Sequence, residues 1–397
     1  AGTVKALVSM KLITLGGVFS VVGESLPKDE NGFTNILLLG RGDKGHDGVD
    51  LTDSMMIVSL DPKTRSAVMI SMPRDLYLLN PEIMSRGRIN SLYRDYKGYM
   101  QQEEGLTADE ASKKALAALM EELGIQFGLT IHHTMMVNFS AFTELVDAMG
   151  GLDIVVPKDI VDTEYPNENE NGYETFSIAA GPQIIDGKTA LKYVRSRHST
   201  SDFDRSARQQ LVLHALKEKA RTAGWLTNPS KLLELWRIIS SNTETTMRFG
   251  EMASLAELGQ RIERENILTI QLSDRSGYSG LPSSPGGLLY TPPRDDFGGA
   301  SVLLPVSIPS SPSTYKQIQV LTHLLLTYRK EMLQRPSLVI WNAGAKPGTA
   351  GALAWELGRF NLPVDEAINA PDGEDRETSV IIARSAGEED MANFFGE

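Results

Sequence analysis

A chain of 397 residues, 41% hydrophobic and 23% charged, is long enough for two domains and too apolar to be disordered. Its balance of 51 Asp and Glu against 39 Lys and Arg gives a formal net charge of -12. That argues against a duplex-binding protein, which needs a broad basic face to neutralise phosphates. The lack of cysteine excludes disulfides, thiolate metal sites and a cysteine nucleophile, and is compatible with either cytoplasm or cell surface.

Along the chain, the longest uncharged run near the start, residues 12–23, is too short to cross a bilayer, and Lys5 and Lys11 interrupt what precedes it. Residues 1–30 are therefore expected to be a membrane-proximal docking segment, with any membrane anchor lying upstream. Three short apolar runs follow, at 34–39 (TNILLL), 54–60 (SMMIVSL) and 67–72 (AVMISM), bounded by Gly, Asp or Pro as buried strands are. Apolar periodicity predicts helices over 107–123 and 140–149, the second started by Ser140 and stopped by Gly150 and Gly151. Strands are expected at 134–139 and 152–156. Alternating strands and helices define an α/β layered domain.

From Thr189 the pattern turns helical, and again from Phe203 to about Arg221. Further helices are expected at 229–241 and 251–264, a strand at 267–272, an irregular Gly/Pro/Ser-rich loop at 273–299, and a last helix over 315–333. Pro336 marks a domain boundary, giving a large domain over 31–335 and a small α/β unit over 337–397. The small unit has strands expected at 338–341 and 379–383 around a helix at 349–360.

Against the acidic background, VRSRHSTSDFDRSARQQ (194–210) packs four arginines and a histidine together. On a helix from Phe203, residues Arg205, Arg208, Gln209, Val212 and Leu216 share one face, charged in the first turn and apolar beyond it. This is consistent with arginines lining an anion pocket at the core's edge, aided by the helix N-terminus and by Arg195 and Arg197 upstream. It is equally consistent with a solvated face on which Asp202 caps and Asp204 pairs with Arg208. A second constellation sits at strand ends: Arg74 and Asp75 just after one apolar run, Asp50 and Asp53 just before another. Ligands gather at such ends, and carboxylates beside arginines suit Mg²⁺ with substrate phosphate oxygens. A surface turn and a local ion pair are the plainer account. GRGDKGHDG (40–48) fits no phosphate-loop pattern, and His132 and His133 lack a spaced third metal ligand.

The order NILLLG (35–40), TDSMM (52–56), DPKT (61–64), ISMPRDLY (70–77), RIN (88–90), VNFSAFTELVDAMGGLDIVVP (137–157), DGKTALKYVRSRH (186–198) and DRSARQQ (204–210) resembles the LytR-CpsA-Psr family of cell-envelope enzymes. The terminal unit (339–370, 377–382) resembles the small LytR C-terminal-like domain of some members. The resemblance implies a layered mixed β-sheet flanked by helices, enclosing an apolar pocket for a polyisoprenyl chain with an arginine-rich mouth for its diphosphate. It implies transfer of a glycopolymer from undecaprenyl diphosphate to a peptidoglycan hydroxyl, with Mg²⁺, outside the cytoplasmic membrane and without nucleic acid. By motif position, Asp53 is a metal ligand, with Asp43 as the second and Asp50 its rival. Arg74, Arg88, Arg195, Arg197, Arg205 and Gln209 would bind the diphosphate, and Asp53, Arg74, Asp75 and Arg205 would carry catalysis, Asp75 accepting a proton. Leu51 stands where most members have an arginine, which favours the alternative of a non-catalytic polyisoprenyl-phosphate-binding scaffold.

Overall fold

The computed structural model describes residues 24–43, 49–167, 172–196, 202–224, 228–274, 287–306, 314–334, 338–362, 364–371, 373, 375–383, 392–393 and 395, without the side chains at 202–206, 229, 232 and 239–242. Residues 1–23 of the docking segment expected over 1–30, and Pro336 at the expected domain boundary, lie outside these. In chain order the elements are β1 (Thr34–Arg41), β2 (Thr52–Asp61), β3 (Ser66–Met72), β4 (Tyr77–Leu78), β5 (Gly87–Arg88), α1 (Ile89–Glu103), α2 (Ala108–Phe127), β6 (His133–Asn138) and α3 (Phe139–Ala148). Next come β7 (Leu152–Val156), β8 (Ile160–Pro166), β9 (Tyr173–Ile178), β10 (Gly181–Ile185), α4 (Gly187–Arg195), α5 (Asp202–Thr222), α6 (Pro229–Asn242), β11 (Thr243–Thr245), α7 (Phe249–Arg261) and β12 (Ile267–Gln271). The chain closes with β13 (Leu289–Tyr290), β14 (Leu304–Pro305), α8 (Lys316–Thr327), α9 (Arg329–Gln334), β15 (Leu338–Asn342), α10 (Thr349–Arg359) and β16 (Val364–Asn369). Among the described residues no helix is long and apolar enough to cross a membrane.

These elements form two compact units, Ala1–Arg74 with Asn80–Gly124 and Thr130–Gln271, and Asp75–Leu79 with Ile125–Leu129 and Leu272–Glu397. Residues 272–334 therefore group with the C-terminal part of the chain. The first unit is built on a six-stranded mixed sheet in the order β11-β6-β1-β2-β3-β12. The apolar runs that open the fold are its centre: Leu37 lies opposite Ile57 and Ile57 opposite Ile70, all three essentially without solvent exposure. Each such side chain contributes about 1.5–3 kcal/mol on burial, so a one-residue slip of register would be costly. A second apolar cluster lies where α3, α4 and α5 meet the antiparallel pair β7/β10 and the β8/β9 hairpin, around Val146, Leu152, Ile154, Tyr193 and Val212. β7 alternates buried and exposed residues, as a strand with one packed face does.

In the second unit, Tyr77 meets Phe297 edge to face at 5.0 Å, and Tyr315 lies 6.3 Å from Phe127. The small terminal element is a parallel β15/β16 pair joined by α10, which turns Ala350, Ala354 and Gly358 inward. Small side chains at a four-residue spacing let a helix approach closely.

Several sequence expectations need correction. The second strand of the terminal unit is Val364–Asn369, whereas residues 379–383 have no regular structure. The polar sequence VDEAIN hid a strand of which only Val364 is buried. The helix expected over 315–333 breaks at Tyr328, the C-cap of α8. α3 is capped by Asn138, whose Oδ1 accepts the Ala141 amide at 2.8 Å, and Ser140 is already inside the helix. The irregular stretch 273–299 contains β13 and a 3₁₀ turn at Arg294–Phe297, and residues 275–286 lie outside the description.

Candidate functional site

The site grows from an irregularity between β1 and β2. Gly40 lies opposite Ser54 but Arg41 lies opposite Thr52, so the register shifts by one residue and Asp53 is the extra residue of β2. Such a bulge bends its strand and re-aims the side chain it carries. Asp53 is thus the second residue of β2 and not a residue ahead of it. Its Oδ1 accepts from Asn90 Nδ2 at 3.0 Å, and its Oδ2 lies 3.5 Å from the Arg74 guanidinium. Asn90 is held in turn, since its carbonyl accepts from Thr52 Oγ1 at 3.3 Å and its amide donates to the Arg74 carbonyl at 3.4 Å. Asp53 keeps 40% side-chain exposure and Arg74 28%, so the pair faces solvent in part.

Helix α5 reaches the same strands through two adjacent amides. Gln209 Nε2 donates to Ser54 Oγ at 2.7 Å, one residue beyond Asp53, and Gln210 Nε2 donates to Ser71 Oγ at 3.1 Å on β3. Gly40 makes room for this, because a Cβ there would come 3.0 Å from the Ser54 Cβ. Arg208, on the same helical face by sequence, points inward. It is 5% exposed, and its guanidinium donates to the carbonyls of Tyr193 (2.8 Å) and Ser196, locking α5 to the end of α4. Arg195, in the last turn of α4, stacks its guanidinium 4.0 Å over the Phe139 ring and 5.6 Å from that of Tyr165. Its planar head is oriented by aromatic faces, a geometry a lysine would not reproduce.

Other expected residues fall as follows. Arg88 is the N-cap of α1, two residues before Asn90. Arg205 lies in α5 and its side chain is outside the description, as are Arg197 and His198 entirely. Asp75 begins the segment that belongs to the second unit, where its carbonyl accepts the Leu303 amide at 2.8 Å. Asp43 accepts from the Ser140 amide (3.1 Å) and hydroxyl (2.8 Å) at the start of α3. Asp50 is enclosed by Arg41 at 3.1 Å and Lys97 at 3.0 Å. His132 accepts the Asn35 amide, and His133 lies buried 3.6 Å from Glu251; both are structural. Sequence reasoning missed Asn90, Ser54, Gln210 and Lys97. Asn90 lay within the quoted RIN block and Gln210 beside Gln209, but nothing local shows that they reach β2 and β3.

Among the described residues no group of three or more His, Asp or Glu side chains converges as a metal site. Magnesium asks for fewer, binding through one or two carboxylates completed by phosphate oxygens and water. The half-exposed Asp53 carboxylate fits that requirement.

A mixed sheet flanked by helices, with a carboxylate, an arginine and an amide gathered at a strand bulge, defines an α/β protein. The chain belongs to the LytR-CpsA-Psr family, whose family model matches residues 15–283. It is 30% identical over 232 residues to the cell wall biosynthesis protein LcpA of Corynebacterium glutamicum, across 54% of this chain and 42% of that protein. It is 27% identical over 253 residues to the polyisoprenyl-teichoic acid–peptidoglycan teichoic acid transferase TagV of Bacillus subtilis, across 62% and 58%. The chain thus spans about half the length of these two relatives. The crystal structure of B. subtilis TagV has the same fold, with a TM-score of 0.53 at 21% identity over 75% of this chain and 99% of that one.

Proposed function

We propose that this protein is a phosphotransferase that moves a glycopolymer from a polyisoprenyl diphosphate carrier to a peptidoglycan hydroxyl during cell-wall assembly, at the outer face of the cytoplasmic membrane. The observation that carries this reading is the bulge that sets Asp53 beside Arg74 and Asn90, inside the span matched by the family. Arg74 and Arg195, with Arg88, Arg197, Arg205 and Gln209, are assigned to the diphosphate. Fixed guanidinium groups aimed at developing charge stabilise a leaving phosphate without reorganising during the reaction. Asp53, with Asp43 as the second carboxylate, is assigned to Mg²⁺, which when bound neutralises diphosphate charge. Asp50 is the weaker candidate, since both its oxygens are committed to cations. Asp75 is assigned to accept the proton of the attacking hydroxyl. An apolar pocket in the same domain is assigned to the prenyl chain. The terminal unit is assigned as a LytR C-terminal-like domain.

Leu51 supports a second reading, a non-catalytic polyisoprenyl-phosphate-binding scaffold, because it removes a guanidinium from the family pattern. One assay separates the two: purified protein, Mg²⁺, a lipid-diphosphate glycan donor and a peptidoglycan acceptor, with transfer followed by label. Transfer should fall at least about 100-fold in Asp53→Ala and in Arg205→Ala, the scale of losing one transition-state charge partner. Transfer undiminished in both variants refutes the site. Donor binding without transfer by the wild type establishes the scaffold.

A further inference from the structure

We propose that Lys97, acting through Asp50, is a positioning residue that holds the β2 bulge in the form presenting Asp53. The inference rests on the role proposed for Asp53 and adds a residue to it. Asp50 lies three residues before Asp53, where the connection from β1 re-enters the sheet. Both its oxygens are bound: Oδ1 to Arg41, the last residue of β1, at 3.1 Å, and Oδ2 to Lys97 Nζ of α1 at 3.0 Å. The three side chains are between 13% and 19% exposed, so the two ion pairs are shielded from water. Arg41 also reaches Glu244 of β11 at 2.8 Å, and Glu244 accepts from Ser112 and, at 3.4 Å, from the Tyr93 hydroxyl. Burial raises the Tyr93 phenol well above its ordinary range, so it remains a donor.

The geometry gives α1 two grips on one short segment. Asn90 and Lys97 are seven residues apart, two helical turns, and therefore project from one face. Asn90 holds Asp53 directly, and Lys97 holds Asp50 on the other side of Leu51 and Thr52. A bulge breaks the regular ladder, so the aim of the residue it carries depends on what anchors the chain on either side. Downstream the anchor is Gln209 on Ser54; upstream it is Arg41 and Lys97 on Asp50. Among the described residues Lys97 reaches Asp50 and the Tyr93 ring and none assigned to the diphosphate, and its effect on Asp53 is one of aim.

The experiment compares full-length wild type with Lys97→Met, Lys97→Arg, Lys97→Gln and Asp53→Asn. Amide hydrogen exchange is followed over residues 49–55, and affinity for geranylgeranyl diphosphate is measured with and without Mg²⁺. In Lys97→Met, exchange at 51–54 should rise about tenfold as the segment opens locally. The half-saturating Mg²⁺ concentration should rise about tenfold, the scale for losing a partner that orients a ligand. Binding without Mg²⁺ should stay within about twofold, and Lys97→Arg should recover most of both losses. Should Lys97→Met fail to fold, Lys97→Gln carries the same expectations with a polar side chain in its place. Lowered thermal stability with unchanged exchange at 51–54 and unchanged Mg²⁺ dependence, in whichever variant folds, overturns the inference. An Asp53→Asn variant with unaltered Mg²⁺ dependence defeats the site reading instead, while exchange at 51–54 still decides the clamp.

Discussion

Arg208 and its neighbour Gln209 show how one helical turn divides labour. Gln209 reaches out to Ser54 of the bulged strand, whereas Arg208 is sealed against two backbone carbonyls and the Tyr193 ring. A buried guanidinium supplying donors to otherwise orphaned carbonyls is costly to remove, so Arg208→Met should lower stability by roughly 3 kcal/mol, read as a shifted denaturant midpoint. Lysine should not restore it, having a single ammonium head for a two-carbonyl site. Helical phasing places Arg205, Arg208 and Gln209 on one face from sequence alone, and it does not separate the inward Arg208 from the outward Gln209. The direction of each side chain depended on which partner the fold brought to it, and that is not a local property.

Among elements, the fold hangs on close approaches that only glycine permits. Gly187 opens α4 directly against α3: its amide donates to Asp147 Oδ1 at 2.7 Å, and a Cβ would collide with the Thr143 carbonyl. Backbone cannot yield as a side chain can. Gly187→Ala should therefore cost about 3 kcal/mol or more by overpacking, enough to lower Tm by several degrees in a thermal melt. Gly40→Ala meets Ser54 alone, most closely at its Cβ, and should cost less, about 1 kcal/mol, while loosening the Gln209 contact. The element pattern itself was largely legible. Uninterrupted apolar runs marked β1, β2 and β3, and glycines with positive φ at 150 and 151 end α3 as expected. Helix α1 and the β8/β9 hairpin were not legible. INSLYRDYKGYMQQE buries Ile89, Leu92, Tyr93 and Met100 but carries an interior glycine and polar residues that blur its period, and β9 buries only Phe176 and Ile178.

For the molecule as a whole, the pH dependence of stability has an identifiable contributor. Burial pushes the His133 imidazole below its ordinary pKa, opposed by Glu251, whose own carboxyl is held low by Arg248 against the cost of its burial. With the folded pKa below the unfolded value, the unfolded chain takes up the proton first as pH falls. Stability contributed by neutral His133 is complete above the unfolded pKa of about 6.5 and is lost as pH drops from there toward the folded value. Denaturant midpoints measured from pH 7.5 to 5.5 should decline, and His133→Asn should flatten that decline. A slope unchanged by the substitution would assign it to other groups.

What the sequence determines on its own is what depends on neighbours in the chain: the apolar strands, the capped helices, the acidic background with its basic stretch, and the ordered blocks that mark the LytR-CpsA-Psr family. What the tertiary structure decides depends on residues far apart. Register between β1 and β2 makes Asp53 the bulged residue, Gln209 finds Ser54 across 155 positions, and Asp50 finds Lys97 across 47. A carboxylate's role as ligand, clamp or cap is set by the charges and donors that packing places within about 3 Å of it, the range over which a hydrogen bond forms. By that measure Asp53, Asp50 and Asp43, alike in sequence, are three different residues: one presented at a bulge, one enclosed by cations, one fastened to the start of a helix.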